Sequence, residues 1–224
     1  MKKTGIMGGT FNPIHNGHIE IAEAAFKQFG LDEVWFMPNH IPAYKPDADI
    51  VSGEQRLKMV ELAIEDYPHF FASDFEIKRD GKTYTYVTLS KLRELYPDNR
   101  FYFIMGADSL FYFDKWVKPD VILKYADILV AARDNNGAEE IYNRIAFLEQ
   151  HFDKACFSVI NCANIDCSSS EIRTYLADIS DHAHNNYADN KARVKLLEKQ
   201  AYINKYLPEN VYEYIKCNHL YNHR

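Results

Sequence analysis

The residues best suited to chemistry lie near the start of the chain, in Gly8-Gly9-Thr10-Phe11-Asn12-Pro13-Ile14-His15-Asn16-Gly17-His18. Gly8 and Gly9 are expected to let the backbone come close to a ligand and to take up positive φ. His18 falls where a helix should begin, and there unpaired N–H groups and the helix dipole attract phosphate. His15, three residues earlier, can aim its ring at the same place. Two imidazoles and a helix start form a cradle for negative charge developing on phosphorus and on a leaving pyrophosphate. A turn carrying two surface histidines is the plainer alternative. It does not account for two histidines, two glycines and a helix start coinciding directly after the first strand.

A second cluster, Cys167-Ser168-Ser169-Ser170-Glu171-Ile172-Arg173, follows the last apolar strand. Ser168 and Glu171 have the spacing of a capping box, which gives this segment a structural role. The run of hydroxyls with Arg173 one turn further on suits a second phosphate clamp, because a guanidinium fork matches phosphate geometry. Asp108, at the end of another strand, can accept hydrogen bonds from ribose hydroxyls or cap a helix. Trp116, between Lys115 and Lys118, offers a flat face for a ring or packs in a core. Asp181-His182-Ala183-His184 and the pair His219 and His223 do not amount to complete metal-ligand sets.

Short apolar runs alternate with helical patterns and would position these groups. Strands are expected at Thr4–Gly8, Glu33–Met37, Phe70–Ile77, Phe101–Met105, Ile128–Ala132 and Phe157–Ile160. Helices are expected from Gly17 to a stop at Gly30, over Glu54–Asp66, Thr85–Tyr96 and Ile141–Phe152, and around Trp116. The apolar face of the second helix would carry Leu57, Val60, Ala63 and Ile64. This alternation implies an α/β fold, a doubly wound (Rossmann-like) parallel sheet with helices on both faces. Residues 1–176 would form that domain. Residues 177–224 would add a helical C-terminal extension within the same structural unit, with a polar loop over Asp178–Asn190 and helices over Ala192–Tyr206 and Glu209–Tyr221.

The chain has 224 residues, of which 47% are hydrophobic and 26% charged, with a formal net charge of −6. That balance argues against a nucleic-acid partner held by a broad basic face, and leaves acidic small substrates open. Four cysteines with no C-x-x-C spacing do not make a disulfide framework. No stretch has the length of a signal sequence or a membrane span, so the expected location is cytoplasmic, away from membrane. A homo-oligomer is left open.

The first cluster resembles the phosphate-binding signature of the nucleotidyltransferase superfamily that carries an H-x-G-H element. The second resembles that superfamily's I-S-S-T-x-I-R element, with Cys167 and Ser170 in place of isoleucine and threonine. Between them, Val34-Trp35-Phe36-Met37-Pro38, Arg79-Asp80-Gly81-Lys82-Thr83-Tyr84-Thr85, Ile104-Met105-Gly106-Ala107-Asp108 and Lys115-Trp116 look like the bacterial nicotinate mononucleotide adenylyltransferase family, as does the tail Leu207-Pro208-Glu209-Asn210-Val211. The resemblance runs from Lys3 to about Arg173 and resumes near Tyr206. It implies transfer of the adenylyl group of ATP to nicotinate mononucleotide, giving nicotinate adenine dinucleotide and pyrophosphate.

By that resemblance, His15, His18 and Arg173 are the catalytic residues. The ATP site would comprise Gly8, Gly9, Thr10, Phe11, His15, His18, Lys45, Gly106, Asp108, Ser168, Ser169 and Arg173. Thr85, Trp116 and Arg133 would bind the nicotinate mononucleotide. Mg²⁺ would arrive with ATP, bridging triphosphate oxygens with few dedicated protein ligands. The loop Pro38–Ser52, with Lys45 on it, has the length of a lid. Three alternatives stay open: the amide nucleotide as acceptor, phosphopantetheine as acceptor, or a nucleotide sensor without catalysis.

Overall fold

The computed structural model describes residues 1–42, 50–132, 137–162, 166–182 and 190–222. The first half runs β1 (Lys2–Gly9), α1 (Asn16–Phe29), β2 (Glu33–Pro38), β3 (Ile41–Pro42), α2 (Gly53–Ala63), β4 (Phe70–Ala72), β5 (Lys82–Thr83), α3 (Thr85–Leu95) and β6 (Asn99–Gly106). It continues with α4 (Ala107–Phe111), a 3₁₀ turn (Phe113–Lys115), α5 (Pro119–Tyr125), β7 (Ala126–Ala131), α6 (Ala138–His151) and β8 (Phe157–Ile160). Three helices close the chain: α7 (Ser169–His182), α8 (Asn190–Tyr206) and α9 (Glu209–Cys217).

Six strands form one parallel sheet in the order β4-β2-β1-β6-β7-β8. Strands covered on both faces must be apolar throughout, which is why β1, β6 and β7 read as continuous runs rather than alternating ones. Ile6 packs with α3 to α6 on one face, together with Leu89, Leu110, Ile122 and Ile145. Met7 packs with α1, α2 and the last three helices on the other, together with Ala22, Val60, Ile172 and Ile203. The expected doubly wound sheet is therefore present, and helices α7 to α9 share a core with β1 and α1.

The helix ends follow their local signals. Gly30 closes α1 in the left-handed conformation, φ 57°, with its N–H bonded to Phe26 O. Ser52 caps α2 by accepting from Gln55 N, and Gln55 Oε1 accepts from Ser52 N in return.

Three expectations need correction. Only Phe70–Ala72 of the predicted strand 70–77 pairs with β2. Ser73 N still donates to Phe36 O, but Lys78 N then turns back to Asp74 O and Arg79 N to Glu76 O. Local turn bonds have displaced the ladder here, at the sheet edge, where no outer strand rewards extension. The polar stretch predicted as a loop is helical through His182, because Asp178 faces α8 and forms an ion pair with Lys199; residues 183–189 lie outside the described set. In α2 it is Arg56, Met59, Val60 and Ala63 that are buried, so Arg56 rather than Leu57 occupies the inner face.

Candidate active site

The strand order reverses between β1 and β6, since β1 is followed by β2 and β4 on one side and β6 by β7 and β8 on the other. Loops leaving adjacent strands there diverge to opposite faces and open a crevice beyond the carboxyl ends. A cavity of about 600 Å³ fills that crevice. Its walls contain Gly8, Gly9, Thr10, Phe11 and His18 from the end of β1 and the start of α1. Gly106 and Asp108 enter from β6, Thr85 and Trp116 from the α3 and α5 side, and Ser169 and Arg173 from α7. Eleven of the fifteen predicted site residues thus line one cavity.

Two of the remaining four are outside the described residues: Lys45 and Arg133. Ser168 is exposed at the edge of the site, where its Oγ accepts from Glu171 N at 3.1 Å and caps α7. His15, counted among the catalytic residues as well, is buried at 2% exposure and lies behind His18 rather than in the wall. The two rings are in tilted contact, with centroids 3.8 Å apart.

His15 is the N-cap residue of α1 and His18 its third helical residue. The backbone N–H of His15 donates to His18 Nδ1 at 3.3 Å. An accepting Nδ1 carries no proton, so this contact selects the tautomer protonated at Nε2. A phosphate entering the cavity would therefore meet an N–H donor. Behind it, Cys167 Sγ lies 3.3 Å from His15 Nδ1.

The glycines act differently from expectation. Gly8 and Gly9 are the last residues of β1, and positive φ is found at Phe11 (49°) instead. A Cβ on Gly9 would come within 3.0 Å of the Phe11 ring, so this position is glycine to let the loop fold back on the strand. Phe11, 2% exposed, keeps its left-handed backbone because the ring is locked into the core, edge-on to His18 at 5.1 Å.

The two sequence clusters, about 150 residues apart, are joined by hydrogen bonds. Arg173 Nη1 donates to Asn12 O at 2.8 Å, and Ser169 Oγ donates to Pro13 O at 2.9 Å. Arg173 is thereby held at the mouth of the first loop, with its fork half-buried beside the cavity.

Several functional neighbours carried no sequence motif. Arg56 is 1% exposed and donates to Thr10 O at 2.8 Å, Asn39 O at 2.6 Å, His40 O at 3.2 Å and Val51 O at 3.1 Å. Burial lowers its pKa, while nearby Tyr221 opposes the shift. One guanidinium thus ties the first loop to the segments before and after residues 43–49. The apolar pattern of α2 puts Leu57 rather than Arg56 on the inner face and gives no signal for it.

Glu76 is a second case. It lines the cavity, is 6% exposed, and accepts from Thr88 Oγ1 at 2.6 Å. Burial pushes its carboxyl up to about 7 against the opposing pull of the Thr88 bond and of Arg79. Thr85 is the first residue of α3, with Tyr84 as its cap, so its hydroxyl is not spent on capping. Trp116 follows the 3₁₀ turn and packs on Phe113 at 5.5 Å and Phe103 at 6.1 Å while keeping a place in the cavity wall. Among the described residues no group of three or more His, Cys, Asp or Glu could hold a metal ion, and no helix is long and apolar enough to cross a membrane.

A doubly wound sheet with two phosphate-type helix starts facing one switch-point crevice defines a nucleotidyltransferase. The cytidylyltransferase-like family model matches residues 6–175. A probable nicotinate-nucleotide adenylyltransferase of Lachnoclostridium phytofermentans is 44% identical over 173 residues, 77% of this chain and 86% of that protein. One of Carboxydothermus hydrogenoformans is 33% identical over 219 residues, 98% of both chains. The structure of Plasmodium falciparum nicotinic acid mononucleotide adenylyltransferase complexed with NaAD superposes with a TM-score of 0.73 over 99% of this chain and 98% of that one, at 21% identity, a likeness of fold. The chain belongs to the nicotinate-nucleotide adenylyltransferase family.

Proposed function

We infer that this chain transfers the adenylyl group of ATP to nicotinate mononucleotide, forming nicotinate adenine dinucleotide and pyrophosphate, a step of NAD biosynthesis. The observation that carries the reading is the convergence of both phosphate-type clusters on one cavity, fixed by the Arg173–Asn12 and Ser169–Pro13 bonds. The acceptor's 5′-phosphate attacks the α-phosphorus of ATP in line. The new P–O bond forms as the bond to the β-phosphate oxygen breaks, and pyrophosphate leaves with that electron pair.

No covalent enzyme intermediate is needed, so the work of the protein is positioning and charge stabilisation. His18 Nε2–H donates to the α- and β-phosphate oxygens, and His15 backs its ring. Arg173 holds the β and γ phosphates, and Gly8, Gly9, Thr10 and Phe11 shape the floor of the phosphate site. Asp108 accepts from the ATP ribose beside Gly106. Thr85 and Trp116 take the carboxylate and the ring of the acceptor. Ser168 and Ser169 orient α7, and Lys45 and Arg133 belong to the same proposal as further cationic contacts. Mg²⁺ enters as part of the ATP substrate. A cytoplasmic setting completes the reading; it is supported by four cysteines that form no disulfide with one another, which suits a reducing compartment.

Pyrophosphate release from MgATP with nicotinate mononucleotide, or with its amide, tests the function. Rapid release with the acid alone is the expected result. Release with the amide alone would overturn the acceptor, and binding of ATP with no release in either case would favour a sensor.

A further inference from the structure

Tyr221, beyond the last helix, reaches the loop at the end of β1. His219 and Tyr221 both have left-handed backbones, φ 50° and 63°, a conformation that bulky residues adopt only when the surroundings hold them there. The resulting double bend buries Leu220, at 7% exposure, in the core shared with α1 and α2. It also turns the Tyr221 ring inward. The hydroxyl donates to Asn12 Oδ1 at 2.8 Å, a bond between residues 209 positions apart.

Asn12 is a junction. Its side-chain oxygen accepts from Tyr221 and also from Val51 N at 3.2 Å, next to the Ser52 cap of α2. Its backbone oxygen accepts Arg173 Nη1 at 2.8 Å. Two donors on one amide oxygen fix the side chain, and the fixed residue presents its carbonyl to the arginine. Burial pushes the Tyr221 phenol well above its ordinary range although Arg173 and Arg56 pull the other way, so the hydroxyl keeps the proton it donates.

We propose that Tyr221 is a positioning residue for the triphosphate end of the site, acting through Asn12 on Arg173 and on the segment that enters α2. The proposal rests on the reading of Arg173 as a ligand of the ATP β and γ phosphates. Tyr221 lies outside the cavity wall and acts only through its neighbours. Its ring could be replaced by that of phenylalanine with the core volume kept, and only the donated bond would be lost.

The test compares the unmodified protein with Tyr221→Phe and with Arg173→Gln. MgATP affinity is read by titration calorimetry, and kcat and both KM values by pyrophosphate release. Tyr221→Phe is expected to weaken ATP about 2- to 13-fold, the range that one lost hydrogen bond gives. The KM for nicotinate mononucleotide should stay within about twofold and the melting temperature within about 3 °C, since the core is intact. Adding Tyr221→Phe to Arg173→Gln should then cost little more, because the tyrosine acts through the arginine. If Arg173→Gln weakens ATP and Tyr221→Phe does not, Tyr221 has no positioning role. Equal losses for both substrates with a lowered melting temperature would reduce it to core packing. If Arg173→Gln leaves ATP affinity unchanged, the phosphate reading of Arg173 fails and this proposal goes with it.

Discussion

The His18 ring lies over that of His15, centroids 3.8 Å and planes 32° apart, and only His18 reaches the cavity wall. The pair therefore divides its labour: the outer ring meets the ligand and the inner one, 2% exposed, sets the height and tilt of the outer. His18→Ala removes a preorganised donor and should lower kcat for pyrophosphate release by about 10²–10³. Thermal melting of that variant should stay close to the unmodified protein. His15→Ala should lose both activity and melting temperature, because it also opens a buried space. Equal stability of the two variants would contradict this division.

Gly17 is hemmed in by the inner ring and by the sulfur beside it. A Cβ there would stand 3.0 Å from Cys167 Sγ and 3.0 Å from His15 Nδ1. Gly17→Ala must shift one of them, and small displacements of catalytic groups cost about 10²-fold in rate. We expect a drop of at least about tenfold in kcat. Restoration of much of it by the further change Cys167→Ala, which removes the sulfur, would identify the contact responsible.

Arg56 donates to four backbone carbonyls, and among the described residues no carboxylate forms an ion pair with it. Lysine keeps the charge but cannot span those oxygens. Arg56→Lys should cost about 2–4 kcal/mol in denaturant unfolding, the scale of breaking buried charged hydrogen bonds. The loss should appear as a lower midpoint at unchanged slope.

Glu76 links stability to pH with a definite sign. Its folded pKa of about 7 stands above the ordinary 4.5, so the native state keeps a proton that the unfolded chain releases. Stability therefore falls as pH rises between those two values and is level above them, by an amount on the order of 3 kcal/mol. Glu76→Gln keeps the acceptor for Thr88 and should flatten that slope. A gap between variant and unmodified protein that stays constant from pH 5 to pH 8 would exclude this linkage.

The glycine–histidine loop and the serine–arginine cluster were legible from the sequence because each packs its groups into one turn of chain. Their burial partners were not. Arg56 looked like a surface residue of an amphipathic helix, and the carbonyls that satisfy it come from Thr10, Asn39, His40 and Val51, on separate loops. The strand at Phe70 was overextended because the apolar pattern continues to Phe75 and Ile77, whereas Ser73 and Asp74 turn the chain. Periodicity reports which residues want burial; it does not report which hydrogen bonds compete for the backbone. Tyr221 left no trace of its role, since its partner lies almost a full chain length away.

The core beneath α1 is built from both extremes of the sequence: Met7, Phe11, Ile14 and Ile19 pack with Ile203, Leu207, Val211 and Ile215. β1 precedes α8 and α9 in the chain by almost two hundred residues, so that part of its core stays uncovered until those helices dock. Contacts of such sequence separation close slowly and leave apolar surface open meanwhile. The phosphate-binding loop hangs from that same strand, so the shape of the site depends on helices almost two hundred residues further along the chain.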